Sequence, residues 1–155
     1  MAICQYTISV DLTPERLLYT GPLIPGSWSY TPDEGKPRTV SGEILLDTGA
    51  FGAIMDLQVA ERLGLPVLGM REIHGIHGYG NLHCYQAQLV LPAHNPAGEL
   101  CSLPRIVECV GVPSLIEKNK EHGANLIGIL GRQFLQHVHL EIDGGSGRLQ
   151  MLLSD

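Results

Sequence analysis

Lysine and arginine are scarce in this chain and form no basic stripe. The 155 residues hold 10 Lys and Arg against 16 Asp and Glu, which gives a formal net charge of -6. Because contacts with phosphates need clustered Lys and Arg, we expect no binding to nucleic acid. No apolar run approaches the length that crosses a bilayer, so we expect no association with a membrane.

Cysteine is also sparse, with four residues and no CxxC pair. A cysteine-dense secreted scaffold is therefore not indicated. The N-terminus has no basic stretch ahead of its apolar residues, so it does not read as a secretory signal peptide. We expect a cytoplasmic protein with reduced thiols, although the spacing leaves a bridge between Cys101 and Cys109 open.

Glycine and proline, in contrast, are abundant, with 19 and 10 residues. Such a composition indicates many tight turns between short strands rather than a bundle of helices. Hydrophobic residues make up 44% of the chain, which is enough for one core at this length. We therefore expect a single all-β domain over residues 1–155 with one or two short helices.

The apolar pattern divides this domain into an N-terminal part and a core. Residues 1–38 are expected to hold a strand from Ile3 to Val10 and then a proline-rich loop or extended arm from Pro22 to Pro37. Residues 39–155 are expected to form the core of the domain. The core opens with a strand from Thr39 to Leu46 that ends in consecutive aliphatic residues, as in strands buried on both faces.

Local signals predict the elements that follow. A short helix should begin at Asp56 as N-cap and end before Gly64. The stretch Arg71 to Leu91 reads as a glycine-rich hairpin. A glycine turn should follow the alternating apolar residues from Val138 to Ile142, and a last strand should run from Arg148 to Leu153.

The strongest chemical signal is a carboxylate at the end of a buried strand. The apolar run 44–46 leads directly into Asp47-Thr48-Gly49-Ala50. A carboxylate there is costly unless it is hydrogen-bonded or functional, and Gly49 lets the backbone turn sharply. The alternative is that Asp47 only caps a turn in which Thr48 and Gly49 are ordinary turn residues.

Hydrolysis of a peptide bond by carboxylates needs two of them. One acts as general base on a water, while the other, protonated, polarises the carbonyl. The chain contains a single DTG segment. A second Asp47 would therefore come from a second copy of the chain, related to the first by a two-fold axis.

Two segments resemble the retropepsin-like aspartic proteases, including their bacterial single-domain members. ILLDTGAFGAIMDLQVAERLGLP, residues 44–66, is similar to the active-site segment of that family, and IGILGRQFL, residues 127–135, is similar to its late strand. The resemblance implies a closed acid-protease barrel with a ψ-shaped loop around the active site, and Asp47 as the catalytic residue. The implied active-site loop is Thr48, Gly49 and Ala50, and the implied supporting residues are Ile129, Leu130, Gly131 and Arg132.

The hairpin between these segments would be the flap that folds over a bound peptide and excludes water. The implied flap and substrate-binding residues are Ile76, His77, Gly78 and Tyr79. The resemblance as a whole implies an aspartic endopeptidase that is active as a homodimer. It would cut polypeptides between apolar residues, with no cofactor and no metal.

One departure from the family and two alternatives stay open. Phe51 stands where retroviral members carry an acidic residue that pairs with the late arginine, so Arg132 needs another partner. A non-catalytic module of the same fold could bind peptides or partner proteins. A metal-binding regulatory protein could use the histidine-rich hairpin, whose candidate ligands are His74, His77, His83 and Cys84.

Overall fold

The computed structural model of the protein describes residues 5–75 and 78–154, most of which lie in strands. The strands are β1 Gln5–Asp11, β2 Leu23–Tyr30, β3 Arg38–Leu46, β4 Ala53–Asp56, β5 Gly69–Gly75, β6 Gly78–His94, β7 Leu100–Val112, β8 Leu126–Leu130, β9 Val138–Asp143 and β10 Arg148–Ser154. The helices are α1 Pro14–Thr20, α2 Leu57–Leu63, α3 Leu115–Asn119 and α4 Arg132–Leu135, with a 3-10 turn at Lys120–His122. Over the described ranges no helix has the length and apolarity to cross a membrane.

Six of the strands close into a barrel. Their order is β2-β3-β8-β4-β7-β6, and β6 pairs back onto β2 through Ser27–Ser29. The barrel interior is filled by large apolar side chains without solvent exposure, among them Trp28, Ile44, Met55 and Leu130. The prediction of a mostly β barrel with few short helices is therefore confirmed.

A second sheet region continues from the barrel beyond β6. β1 touches β6 at Thr7 and His94, then pairs along its whole length with β10, and β10 pairs with β9. Leu149 and Met151 of β10 are fully buried, which explains why this hairpin stays attached to the core. The predicted first and last strands thus pair with each other inside one chain, and β9 becomes the end of the sheet.

The predicted proline-rich arm from Pro22 to Pro37 is wrong over half of its length. Residues 23–30 form β2, which pairs with β3 and carries Trp28 into the barrel, where its Nε1 donates to the Ile127 carbonyl at 3.3 Å. β2 pairs with β3 along its whole length, but only Ser27–Ser29 also pair with β6. Pro25 lies outside the stretch that is hydrogen-bonded on both sides, and a proline is tolerated there. The prolines therefore mark the ends of a strand and the loop after it.

The cysteines of the described part are free thiols: Cys84, Cys101 and Cys109. Cys101 and Cys109 lie eight residues apart on β7, a span of about 26 Å along a strand, which no disulfide can bridge. Burial, with smaller contributions from Cys84 and Glu108, raises the pKa of the Cys109 thiol to about 12. Cys109 is therefore an inert core residue near neutral pH.

The helix predicted after Asp56 is present as α2, and both of its ends match the sequence signals. Gly64 ends it in the left-handed conformation at φ 69°. Asp56 is 1% exposed, and its two carboxylate oxygens accept from Gln58 N at 2.7 Å and Ile116 N at 2.8 Å. One buried side chain therefore holds the start of α2 and the first turn of α3 together.

Replacing this side chain should destabilise the fold. In Asp56→Ala two part-buried backbone N–H groups lose their acceptor, and we expect the free energy of unfolding to fall by about 2–3 kcal/mol. The measurement is urea unfolding followed by circular dichroism, with Asp33→Ala in the exposed loop 31–37 as the matched control. Identical urea midpoints for the two variants would contradict the assigned role.

Candidate active site

Asp47 lies in the loop that connects β3 to β4, and main-chain hydrogen bonds hold it there. Its N–H donates to the Leu130 carbonyl at 3.0 Å, and its own carbonyl accepts from Ala50 N at 3.2 Å. The Gly49 N–H donates to Asp47 Oδ1 at 2.7 Å. The carboxylate is half-buried, and no described residue donates to Oδ2. One oxygen is thus oriented by the loop, while the other remains available.

The strand β8 lies between β3 and β4 and pairs with both. It runs parallel to β3, with Leu46 opposite Leu130, and antiparallel to β4, with Ile54 opposite Ile129. The structure therefore places Ile129 and Leu130 beside the Asp47 loop.

Gly131 follows β8 at the point of closest approach to the loop. An added Cβ at this position would come within 2.6 Å of both the Ala50 and the Gly52 carbonyl oxygens. The next two N–H groups, of Arg132 and Gln133, donate to the carbonyls of Ala50 and Phe51, each at 2.9 Å. The loop is therefore clamped by the start of α4, and only glycine leaves room for that contact.

Arg132 finds a main-chain partner in place of an acidic side chain. Its Nη1 donates to the Thr48 carbonyl at 2.7 Å. Phe51 stands where the retroviral members of the family carry an acidic residue, and 65% of its surface is exposed. Thr48 thus contributes to holding the loop through its backbone oxygen, and Arg132 buttresses the segment next to Asp47.

The Asp47 loop forms one wall of a cleft of about 770 Å³. β5 of the hairpin also lines the cleft, through Arg71, Glu72, Ile73 and His74. The floor is aliphatic and is built by Ile54, Leu82, Val110 and Val112. Asp47 and Glu72 therefore line a mainly apolar cavity of a size that side chains of a peptide can fill.

The predicted flap is a regular hairpin of β5 and β6. Gly75 pairs with Gly78 and His74 with Tyr79, whereas Ile76 and His77 lie outside the described residues. At the base of the hairpin Arg71 forms an ion pair with Glu108 of β7 at 2.9 Å. The hairpin is therefore tied to β7 near its base, and residues 71–74 of β5 line the cleft.

The histidines of the hairpin do not gather into a metal site in the part of the chain that the structure describes. His83 of β6 pairs with Met70 of β5, and Met70 lies four positions along β5 from His74. His83 and His74 are therefore about 13 Å apart along the strand direction. Cys84 is buried, while its neighbour His83 is exposed on the other face. His77, the remaining candidate ligand, lies outside the described residues.

Comparison with protein-family models and with curated proteins gives no match for this chain. The chemistry of the site is therefore argued from its own residues. They are a half-buried Asp47 on a loop held by main-chain hydrogen bonds, a mainly apolar cleft, and a hairpin that lines part of this cleft. The sequence analysis singled out Asp47, its loop and the hairpin, but it missed Glu72, a second carboxylate in the cleft lining that no motif marks.

The contact at Gly131 generates a direct prediction for stability. Gly131→Ala should lower the free energy of unfolding by about 1–3 kcal/mol, because the new methyl group must push the Asp47 loop away. Gly144→Ala is the matched control, since a Cβ there has open space around it. Thermal unfolding of both variants measures the difference, and a Gly131→Ala protein as stable as the control would refute the clamp.

Proposed function

We propose that this protein is an aspartic endopeptidase of the retropepsin type, active as a homodimer with one catalytic Asp47 in each chain. The observation that carries the proposal is the geometry of Asp47. Its loop is fixed by β8 and α4, its Oδ1 is oriented by the Gly49 N–H, and the residue lines an apolar cleft. A carboxylate that only capped a turn would not need to line such a cavity.

A second Asp47 completes the chemistry. The ionised carboxylate takes a proton from a water, and the water oxygen attacks the carbonyl carbon of the substrate. The protonated carboxylate of the second copy donates to the carbonyl oxygen, and the C–N bond breaks once the nitrogen is protonated. Within one chain the other carboxylate of the cleft is Glu72, which sits on the hairpin wall rather than on the clamped loop.

The support around Asp47 suits this role because it fixes the carboxylate before substrate arrives. Gly131 allows α4 to approach the loop, and Arg132 holds Thr48 through its carbonyl. Catalytic groups that are already in position need little reorganisation during the reaction, so little free energy is spent on it. Arg132 and Gly131 are thus positioning residues, while Asp47 touches the reacting water.

The cleft favours an extended polypeptide with apolar side chains as substrate. Ile54, Ile73, Leu82 and Val110 offer aliphatic surface, and β5 pairs only with β6 in the described part of the chain. A peptide can therefore add to the edge of β5 as an extra strand while its side chains enter the apolar floor. Closure of the hairpin would exclude water from the bond that is cut.

A non-catalytic module of the same fold is the second candidate. Phe51 favours it, because a large apolar side chain that is 65% exposed at the cleft offers binding surface but no chemistry. Such a module would bind the same apolar peptides without cutting them. Hydrolysis by the purified protein separates the two candidates.

Asp47→Asn should abolish hydrolysis. Asparagine keeps the size of the side chain but can neither take a proton from water nor share one, so we expect a loss of at least about a thousandfold in kcat/KM. The assay follows cleavage of an unstructured polypeptide by mass spectrometry, with Asp33→Asn as control and a parallel sample in EDTA. If Asp47→Asn cleaves as fast as the control, the carboxylate is not catalytic.

Mixing the wild type with Asp47→Asn tests whether each site takes one carboxylate from each chain. At equal amounts and free exchange, half of the wild-type chains are paired with a variant chain, so activity per wild-type chain should fall to about half. An equal mixture of the wild type with Asp33→Asn should show no loss of activity per wild-type chain. An activity per wild-type chain that is unaffected by Asp47→Asn would mean that one chain carries a complete site.

A further inference from the structure

A second cavity adjoins the candidate active-site cleft. It has a volume of about 470 Å³, and it shares the lining residues Ala53 and Gln133 with the cleft. Its other lining residues include Arg105–Glu108 of β7, Phe134 of α4 and Leu153 of β10. We call this space the outer cavity. Because the cleft and the outer cavity meet at two shared residues, one extended ligand can occupy both.

One wall of the outer cavity is a strand whose backbone is open on one side. β7 pairs with β6 along residues 100–110, but it pairs with β4 on its other side only at residues 109–112. Among the described residues no strand pairs with residues 100–108 on that second side. Arg105–Glu108 therefore present backbone N–H and C=O groups to which an added strand can bond.

The active-site loop explains why this stretch of β7 stays open. β4 begins at Ala53, which lies opposite Cys109 of β7. The loop just before β4 is held by α4 instead of β7, since the Phe51 carbonyl accepts from Gln133 N at 2.9 Å. A peptide that pairs with residues 105–108 would therefore continue the line of β4 and lie beside the active-site loop.

The outer cavity offers apolar surface to the side chains of such a peptide. Leu153 is 4% exposed, and Val107, Phe134 and Val138 are half-buried against the core. Ile106, in contrast, leaves 66% of its surface exposed. Because Ile106 and Val107 are neighbours on β7, their side chains point to opposite faces of the strand. A strand added beside them therefore finds apolar surface on both of its faces.

The two side chains of this lining that are charged at neutral pH already have partners. Arg105 donates through Nη1 to the Pro104 carbonyl and through Nη2 to the Ser154 carbonyl, both at 2.9 Å. Glu108 forms the ion pair with Arg71 of the hairpin. Main-chain groups and apolar surface are thus what the outer cavity offers a ligand, which suits a polypeptide better than a small charged molecule.

The spacing of the two cavities along β7 sets how long the peptide must be. Val110 belongs to the lining of the cleft, and Ile106 belongs to the lining of the outer cavity. Four residues of a strand span about 13 Å. A peptide must therefore extend about four residues beyond the one that lies over Val110 before it reaches Ile106.

We propose that the outer cavity is a second binding site for an extended polypeptide. The polypeptide pairs as an added strand with residues 105–108 of β7 and places large apolar side chains against Ile106 and Phe134. The inference deepens the proposed function, since the same polypeptide would occupy the cleft at Asp47 and continue into the outer cavity. The protein would then bind long extended segments more tightly than short peptides.

Peptide binding to the Asp47→Asn protein tests this site without any cleavage. Overlapping casein peptides of about 16 residues, long enough to fill both cavities, are screened by fluorescence anisotropy. Ile106→Asp, added to Asp47→Asn, should raise the dissociation constant of the tightest peptide about tenfold, because a carboxylate replaces apolar surface that the peptide covers. Ile106→Thr keeps the branched side chain of a strand residue and should raise the constant about threefold.

The matched control is Leu100→Asp, since Leu100 is an exposed apolar residue of the same strand that lines neither cavity. It should leave the constant within about twofold. A peptide shortened so that it fills only the cleft should bind about tenfold more weakly and should no longer respond to Ile106→Asp. Hydrogen exchange in residues 105–108 should slow when the long peptide binds, because its backbone pairs with that stretch.

The outcomes separate this inference from the proposed function. Weaker binding in both Ile106 variants, with Leu100→Asp unchanged, supports the outer cavity. A dissociation constant that Ile106→Asp leaves unchanged, or the absence of binding by any peptide, overturns it. Cleavage of the same peptides by the protein with Asp47 intact is measured separately. Cleavage combined with binding that ignores Ile106 rejects the outer cavity and keeps the endopeptidase, whereas Ile106-dependent binding without cleavage does the reverse.

Discussion

The clamp between the Asp47 loop and the segment that follows β8 is the contact on which the site depends. Leu130 accepts from the Asp47 N–H, and the N–H groups of Arg132 and Gln133 return hydrogen bonds to the loop. Gly131 permits the approach, since any side chain there would meet the Ala50 and Gly52 carbonyls. Because β8 is also a barrel strand between β3 and β4, the position of one carboxylate is coupled to the folding of the whole barrel.

On the proposed function, the same contact explains why one chain would hold only half of a hydrolytic site. The loop fixes Asp47 with one oxygen bonded to Gly49 N–H, and the apolar cleft beside it provides surface for a substrate. Glu72 lines the cleft from the hairpin, where it can contact a substrate but is not held by the clamp. In the proposed homodimer, a second copy that brings its own clamped Asp47 supplies an equally rigid partner.

Sequence reasoning succeeded where the signal is local and failed where the partner is distant. Asp56 and Gly64 bound α2 as their residue types predict, and the aliphatic run before Asp47 became a barrel strand. The prolines near β2 predicted a loop where the protein has a strand. This strand is stabilised by the burial of Trp28 against β8, about a hundred residues away, which no local pattern shows. The Thr48 carbonyl that Arg132 contacts could not be foreseen either, since every residue carries a carbonyl and only the fold selects one.

The central claim is that two copies of Asp47 meet in one site. The most direct measurement is a crystal structure of the assembled protein, in which the distance between the nearest carboxylate oxygens of the two Asp47 residues is read. The account predicts about 3 Å, the distance at which two carboxyl groups share a proton. A separation above about 6 Å, too long for two hydrogen bonds through a single water, would contradict it.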